Sequence, residues 1–445
     1  MTKSPVPSPP RALPTTGAFG GVIETLAFFL SADFARQRFE RFGNVFETRL
    51  LGQPRVFIRG GRTITDLLAH PDATEGWWPE SVRQLLGSRS LSNRNGAGHR
   101  ARRRVVGQLF SAVALRRYTP SIVALVEELA AELQAATTPV PLVERMRRFA
   151  FTVIASVVLG LESDDREALF SDFEIWSQAL FAIPIALPGS PFARALQARS
   201  RVLARLGDVL DRARLRGDAG LPLAAGLDLL IGGVDEAGLP LADDDLVEQL
   251  LLLLFAGYQT TASALSCLMA AVLRDPEVLP WLQVELDGLS WPPPEHADVP
   301  RLSALVQEVM RLNPPVSRLF RRTNRELVLD GVLVPAGRVV QVDLAASSRC
   351  SAGADGRVEG DDLEQFRPER HLSAASAPTL LPFGGGDRVC LGKALAELEI
   401  RLMTVGLLRQ LTLHLEPHHD VNLQPITSLA PTDGLLVRAD HTASS

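Results

Sequence analysis

A single cysteine follows three glycines and an arginine near the C-terminal end of the chain. The stretch LPFGGGDRVCLGKALAELE occupies residues 381–399, and Cys390 lies directly before a segment with helical periodicity. Three roles are open to such a thiol, namely nucleophile, metal ligand or packing residue. Most lone cysteines are buried packing residues, so the surrounding residues must decide between these roles.

The residues around Cys390 disfavour two of the reactive roles. A nucleophilic cysteine needs a base, and no protease-type signature surrounds this one. A phosphate-binding loop would close its glycines with a lysine and a serine or threonine, which are missing here. A thiolate that binds a metal remains, because glycines let the backbone approach a flat cofactor. Helix N-terminal amides and Arg388 would stabilise the sulfur as an anion.

The segment FGGGDRVCLG resembles the haem-binding loop of the cytochrome P450 monooxygenases, which reads Phe-x-x-Gly-x-Arg-x-Cys-x-Gly. Every defined position matches. The resemblance implies that Cys390 is the iron ligand of haem b. The loop residues expected around that cofactor are Phe383, Gly384, Gly386, Arg388, Cys390 and Gly392.

A predicted helix ahead of this loop carries a glutamate and an arginine three residues apart. Glu308 and Arg311 lie on one face of the segment LSALVQEVMRL, a spacing that by itself is typical of a surface ion pair of small value. In the family, such a pair is joined by an arginine from a Pro-Glu-Arg segment, and FRPERH supplies Arg370. The resemblance implies a buried structural triad of Glu308, Arg311 and Arg370.

A long predicted helix contains FAGYQTTA, which is similar to the family's stretch over the distal side of the haem. Ala256 and Gly257 are small enough for a cofactor and dioxygen to lie against the helix, and the Thr260 hydroxyl can bond to the Ala256 carbonyl and bend it locally. Gln259 stands where the family usually has an acid. An amide cannot titrate near neutral pH, so we expect slower or rerouted proton delivery.

Haem propionates need cationic or hydrogen-bonding partners. The segment GHRARRR resembles the family's propionate-binding helix, with His99 and Arg103 four residues apart on one face. Arg321 occupies another matching position. The neighbouring arginines are explained as a solvated basic face, and they form a patch that could receive an acidic redox partner. The patch consists of Arg102, Arg104, Arg116 and Arg117.

The elements that must position these residues are mostly helical. Apolar residues recur at helical spacing over residues 101–217, with breaks at prolines that include Pro120. The helix after Leu241 continues to Arg274, on the order of 45 Å at about 1.5 Å per residue. Strand patterns occupy residues 42–60 and 327–345. The predicted fold class is mainly α with a minor β region, and the resemblance implies the P450 fold with its long central helix over a buried haem.

Composition and charge limit the classes of protein to which this chain can belong. The chain has 445 residues, 46% of them hydrophobic and 22% charged, a formal charge of −5 and three cysteines. These values predict a packed cytoplasmic protein without a disulfide scaffold, a nucleic-acid partner or a membrane anchor. We expect a flexible proline-rich arm over residues 1–18 and one domain over residues 19–440. Electrons would come from separate donors, a ferredoxin or flavodoxin with its reductase.

The substrate is expected to be lipophilic, because the positions that correspond to the family's pocket are mostly apolar. Those positions are Trp77, Trp78, Leu85, Leu86, Phe181, Phe255, Val316, Phe320 and Leu429. The stretch WWPESVRQLLGSRSLSNRNG looks similar to the branch that hydroxylates retinoids, so an isoprenoid (terpene, retinoid or steroid) is favoured, with a fatty acid as a further option. Arg318 or Arg83 could anchor a carboxylate.

Two other functions remain open from the sequence. A peroxide-driven oxygenase or isomerase on the same fold is favoured slightly by Gln259. A haem-thiolate gas sensor is disfavoured, because a sensor needs neither Thr260 nor a large apolar pocket. A glycine- and acid-rich segment at residues 347–362 departs from the family pattern and is interpreted as a remodelled surface loop.

Overall fold

The computed structural model describes residues 9–17, 21–31, 33–220, 225–350, 363–373, 381–416, 423–425 and 429–441. The helices are α1 Gly21–Leu30, α2 Phe34–Phe42, α3 Gly61–Leu68, α4 Glu80–Leu86, α5 Gly96–Gly107, α6 Ala112–Ala135, α7 Leu142–Thr152, α8 Ser163–Gln178, α9 Pro191–Asp218, α10 Ala225–Ile231, α11 Asp243–Arg274, α12 Val278–Leu286, α13 Pro300–Leu312, α14 Leu344–Ser347 and α15 Lys393–Gln410. The strands are β1 Val45–Leu50, β2 Gln53–Ile58, β3 Thr74–Gly76, β4 Val140–Pro141, β5 Arg318–Thr323, β6 Leu327–Leu329, β7 Val332–Val334, β8 Val339–Asp343, β9 Leu411–Leu415, β10 Leu423–Pro425, β11 Leu429–Pro431 and β12 Leu436–His441. The predicted fold class, mainly α with a minor β region, is confirmed.

Two compact units make up the chain, and each is built from discontinuous stretches. Unit 1 comprises Met1–Trp77, Val316–Arg367 and Ala374–Val389. Unit 2 comprises Trp78–Pro315, Pro368–Ser373 and Cys390–Ser445. The cysteine loop therefore leaves unit 1 at Val389 and enters unit 2 at Cys390.

Unit 1 is organised by a five-stranded sheet in the order β1-β2-β8-β5-β3. The predicted hairpin is present as β1 and β2, which are antiparallel, while β8 runs parallel to β2. Side chains alternate between the two faces of a strand. On one face Val56 and Val340 enter an aliphatic core with α3, and on the other Phe46 and Phe57 stack at 5.2 Å within an aromatic cluster that includes residues of α1 and α2.

The described residues of the N-terminal arm make backbone hydrogen bonds to unit 1 strands and turns. The Arg11 amide donates to the Gly331 carbonyl at 2.8 Å, and the Glu47 amide donates to the Pro14 carbonyl at 2.7 Å. Backbone groups of residues 9–17 thus pair with the turn after β6 and with β1, and the flexibility of the arm stays a prediction. Residues 1–8 and 18 lie outside the described residues.

Unit 2 packs around α11, the predicted long helix. Its three aspartates lie in the first turn, where negative charge stabilises the positive end of the helix dipole. Among the described residues, α11 is long and apolar enough to cross a membrane, but 78% of its most apolar window is buried inside the protein. That burial is typical of a core helix.

A proline lies inside a helix where the sequence indicated a break. Pro120 belongs to the continuous helix α6. A proline removes only its own backbone hydrogen bond from the ladder and crowds the preceding turn. Buried contacts of Tyr118, Ile122 and Val126 hold the helix together across that position.

Candidate functional site

The Cys390 thiol lies directly before α15, with Gly392 as the residue that caps the helix. It is exposed, whereas Cys267 is buried and Cys350 half-buried. The surrounding protein still desolvates the sulfur, which raises the pKa of Cys390. The Gly392 amide, the charge of Arg103 and the Lys393 amide act in the opposite direction and lower that pKa. The helix amides thus favour a sulfur anion, as expected. Burial has the larger effect, so the pKa of Cys390 is raised on balance.

One face of α11 is open although the rest of the helix is buried. Ala256 is exposed in the middle of the helix, next to buried Leu254, Tyr258 and Gln259. The Thr260 hydroxyl donates to the Ala256 carbonyl at 2.8 Å, so the predicted bond is present. Residues four apart share a helix face. The two residues therefore form a small polar notch with space beside it.

Gln259 lies next to this notch and is only 8% exposed. Its side-chain amide makes no hydrogen bond within the part of the chain that the structure describes. Buried amides are usually paired with protein or water. Gln259 therefore has donor and acceptor capacity available to water near Thr260.

Gly257 has a different role from the one expected. A Cβ atom at this position would lie 2.9 Å from Cγ1 of Ile154, in the π-helical segment Val153–Val158. The glycine thus lets α11 approach that segment closely and faces away from the open side. Of the two small residues, Ala256 alone contributes to the notch.

We expect Gly257→Ala to destabilise the protein by about 1–3 kcal/mol, since overpacking a dense contact costs that much. Shortening the opposing side chain with Ile154→Ala in the same protein should recover part of the loss. Urea unfolding of the two single variants and the double variant measures both effects. Additive losses would show that the two side chains do not meet.

The predicted propionate ligands lie in both units. His99 is 4% exposed on α5 in unit 2. The charge of Arg103 on the same helix lowers the pKa of the Cys390 thiol. In unit 1, burial and the charge of Arg388 lower the pKa of Arg321 to about 10, while Asp387 raises it. The positive charges of Arg321 and Arg388 are close enough to repel each other, and bound carboxylates would neutralise them.

The glycines of the cysteine loop serve backbone conformation and packing. Gly384 and Gly386 have φ of +69° and +68°, a region that side chains disfavour. A Cβ atom on Gly385 would lie 2.7 Å from Leu68 Cδ1. Gly76, which sequence reasoning missed, lies beneath the Arg388 guanidinium, because a Cβ atom at this position would clash with Arg388 Cζ. Phe383 is half-buried.

Glu308 is the centre of a buried ionic cluster in unit 2. Arg311 donates from Nε to Glu308 Oε2 at 2.7 Å and through a second nitrogen to Oε1 at 2.8 Å. Arg370 Nε donates to Oε1 at 3.1 Å. The structure thus brings the three predicted residues together, and their side chains are at most 1% exposed.

A fourth member of this cluster was missed. His371 Nε2 lies 2.8 Å from Glu308 Oε2, with both side chains fully buried. The only sequence signal was its place directly after Arg370. Glu308 therefore binds two arginines and a histidine, which ties α13 to the segment Pro368–Leu372.

The predicted pocket residues differ in exposure. In unit 1, Trp77 and Phe320 make an edge-to-face contact at 5.8 Å, and Val316 is half-buried. In unit 2, Phe255 contacts Trp176 at 5.7 Å, and the Leu429 carbonyl accepts from Ser263 Oγ at 2.6 Å. Trp78 is half-buried, whereas Leu85 and Leu86 are buried in the core. Phe181 is 54% exposed and lies at the surface.

One of the four arginines of the predicted basic patch is buried. Arg102 is 1% exposed and pairs with the buried Asp245, which also binds Arg94 at 2.7 Å. It is therefore part of a buried network between α5 and α11, because only a paired guanidinium is tolerated there. Arg104, Arg116 and Arg117 are exposed, and Arg116 pairs with Glu295 at 3.3 Å. Most of the predicted loop at residues 347–362 lies outside the described residues.

These residues fit a haem. Within unit 2, Cys390 offers an accessible sulfur, and Ala256 with Thr260 leaves space along a buried helix. Within unit 1, Arg321 and Arg388 offer the kind of charge that propionates need. No group of three histidine, cysteine, aspartate or glutamate side chains is placed to hold a metal ion within the described ranges. A metal bound through one protein sulfur needs its other ligands from a cofactor, which a macrocycle supplies.

Comparisons with known proteins agree with this fit. A family profile described as Cytochrome P450 matches residues 7–439. Cytochrome P450 26B1 of Danio rerio is 32% identical over 426 residues, which cover 92% of this chain and 83% of that protein. Cytochrome P450 120 of Synechocystis is 32% identical over 448 residues, 98% of this chain and 97% of that protein.

A solved structure is similar along its whole length. The structure described as "Retinoic acid bound cyanobacterial CYP120A1" has a TM-score of 0.86 and 31% identity, and the match covers 97% of this chain and 100% of that one. The family match and these relatives show that the chain belongs to the cytochrome P450 family of monooxygenases, whose cofactor is haem b.

Proposed function

We propose that this protein hydroxylates a retinoid or a closely related isoprenoid. The observation that carries the proposal is the similarity, over nearly the full length of both chains, to a structure that contains retinoic acid. When bound, haem supplies the activation of dioxygen and the insertion of one oxygen atom into a substrate C–H bond. The aromatic and aliphatic pocket residues supply a lipophilic environment with few polar contacts.

The test begins with the spectrum of the reduced protein with carbon monoxide, which identifies haem bound through a thiolate. Retinoids, terpenes, steroids and fatty acids are then screened for displacement of the iron-bound water, and binders are assayed for hydroxylated product. A protein that hydroxylates terpenes or steroids and ignores retinoids would contradict the retinoid assignment. A haem protein without turnover would favour the sensor.

Within the chain, three residues have defined tasks. Cys390 holds the cofactor through its sulfur. Thr260 Oγ1 donates to the Ala256 carbonyl, so its lone pairs stay available to accept a hydrogen bond from water. Gln259 can orient that water with its amide but cannot donate a titratable proton.

We further propose that separate electron donors, a ferredoxin or flavodoxin with its reductase, serve the enzyme in the cytoplasm. Exposed Arg104, Arg116 and Arg117 support docking of an acidic partner. Charge complementarity of this kind raises association rates at low salt. Reduction rates that do not respond to ionic strength would contradict this docking surface.

We expect Gln259→Glu to increase the product formed per reduced nicotinamide consumed. A correctly placed acid contributes about 10²- to 10⁴-fold to a proton-transfer step, and the wild type lacks one at this position. Product and nicotinamide consumption are measured together, with Gln259→Met as the control that removes the amide without adding an acid. An unchanged or lower coupling ratio would reject the proposed effect of Gln259.

Gln259 also favours a second candidate, a peroxide-driven oxygenase, because peroxide already carries both protons and electrons. Adding hydrogen peroxide without redox proteins separates the two. Turnover with peroxide that exceeds turnover with the electron donors would make this candidate the better assignment.

A further inference from the structure

Arg55 is a cation without a carboxylate partner in the described part of the chain. It lies half-buried on β2, with its guanidinium 4.9 Å from the centre of the Trp77 ring and 5.9 Å from that of Phe320. Its Nε has no hydrogen-bond partner. Burial lowers the pKa of Arg55, and no acid offsets that effect. Aromatic faces compensate a desolvated guanidinium only in part.

Gln341 presents a second unsatisfied group on the same sheet. It is 0% exposed, and neither its oxygen nor its nitrogen has a partner among the described residues. Native proteins pair the great majority of such buried polar atoms. An amide with both ends unpaired therefore indicates a missing ligand or water.

The strand register places these two residues on one face. Gln341 on β8 pairs with Phe57 of β2 and with Phe320 of β5. Arg55 lies two residues before Phe57, and residues two apart on a strand point the same way. Arg55 and Gln341 are thus diagonal neighbours on the face that carries Phe320.

The other charged residues of this face are occupied or exposed. The Asp343 carboxylate accepts from the Ala346 amide at 2.8 Å. Arg318, one of the two arginines that sequence reasoning named as an anchor, is exposed and lies 5.3 Å from the Phe28 ring. The other, Arg83, pairs with Glu80 at the surface. Thr48, which pairs with Arg55 across β1 and β2, donates to Glu24 Oε2 at 3.0 Å, and Arg322 is exposed. The unsatisfied polar capacity of this face among the described residues is therefore concentrated at Arg55 and Gln341.

We propose that Arg55 and Gln341 bind the carboxylate of an isoprenoid acid, and that the enzyme therefore prefers acids to the corresponding alcohols. The guanidinium offers two parallel N–H donors to the carboxylate, and the Gln341 amide nitrogen offers another. Trp77 and Phe320 contact the adjoining apolar part of the ligand. This inference rests on the proposed function and specifies its substrate class.

The test compares two ligands that differ only at the polar end, retinoic acid and retinol. The holoenzyme is titrated with each, and binding is followed by the haem absorbance shift and by quenching of tryptophan fluorescence. In Arg55→Gln we expect the affinity for the acid to fall about tenfold or more, as for a lost charged hydrogen bond, with the affinity for retinol within about twofold. Gln341→Leu should lower the affinity for the acid by a smaller factor.

Two further variants separate charge from geometry. Arg55→Lys keeps the charge but loses the planar fork, so it should restore acid binding only in part. Arg322→Gln is the matched control, since Arg322 is exposed and shares the cross-strand row of Arg55 through Val339. It should leave both affinities unchanged. Dissociation constants report on folded protein, so partial loss of Arg55→Gln during purification does not affect the comparison.

An unchanged affinity for the acid in Arg55→Gln, or equal losses for acid and alcohol, would overturn the anchor and leave the proposed hydroxylase intact. If neither retinoid binds to the wild type, the retinoid assignment fails, and hexadecanoic acid with hexadecanol tests the anchor separately. Preferential binding of that acid, abolished in Arg55→Gln, would support the anchor. Binding of neither acid would overturn both.

Discussion

The Cys390→Ala protein is expected to purify almost free of haem and to lack hydroxylase activity. Replacement of residues that merely orient metal ligands lowers affinity about 10- to 100-fold, so loss of the predicted ligand itself should exceed that range. The sulfur is accessible and lies at the start of α15. Haem content per chain, the spectrum of the reduced protein with carbon monoxide, and product formation measure the effect.

The chain provides its own controls for this experiment. Cys267 is buried, and burial raises its pKa to about 12, while Cys350 donates to the Ala346 carbonyl at 3.2 Å. Alanine at either position should leave the haem content and the spectrum unchanged. Far-UV circular dichroism should show that Cys390→Ala keeps its helices. A pigmented Cys390→Ala protein with an unchanged spectrum and turnover would invalidate the haem-thiolate assignment.

Glu308→Gln is expected to destabilise the protein by about 3–5 kcal/mol, because it leaves buried cations without their anion. Arg311, Arg370 and His371 all direct a nitrogen at this carboxylate, and none of their side chains is more than 1% exposed. The segment Pro368–Leu372 should lose its attachment to α13. The urea midpoint and the haem retained during unfolding measure the loss.

A matched control exists at the surface. Glu80 and Arg83 have the same spacing of three residues on a helix, at 3.4 Å, but their side chains are 52% and 58% exposed. Glu80→Gln should cost only about 0–1 kcal/mol. His371→Phe, which removes one bond to Glu308, should cost about 1 kcal/mol. Equal losses in Glu308→Gln and Glu80→Gln would show that burial does not determine the strength of the cluster.

Arginines that are partly or fully buried in this protein occur in two different environments. Glu308 and Asp245 are each surrounded by arginines in unit 2 and hold helices in place. Arg55 and Gln341 in unit 1 are the contrasting case, because their polar atoms have no protein partner among the residues described. The two cases differ in their anions, because Glu308 and Asp245 neutralise their arginines, whereas Arg55 has no carboxylate partner among the described residues.

Features that depend on adjacent residues were predictable from the sequence. The cysteine loop is only ten residues long, and its spacing identified the family and predicted the iron ligand. The long helix α11, the hairpin of β1 and β2, and the Glu308–Arg311 pair follow from periodicity, turn residues and helix spacing. Each of these patterns acts over a few residues, so no knowledge of distant contacts was needed.

Features that depend on residues distant in sequence were decided by the tertiary structure. Gly257 faces Ile154 and leaves the open side to Ala256, and Arg102 is buried against Asp245 and does not join a surface patch. Arg55 and Gln341 share a face only because β8 pairs with β2. The sequence by itself determined the cofactor chemistry, since a short loop encodes it. Which side chains are buried, paired or left to bind a substrate depends on packing between elements far apart in the chain.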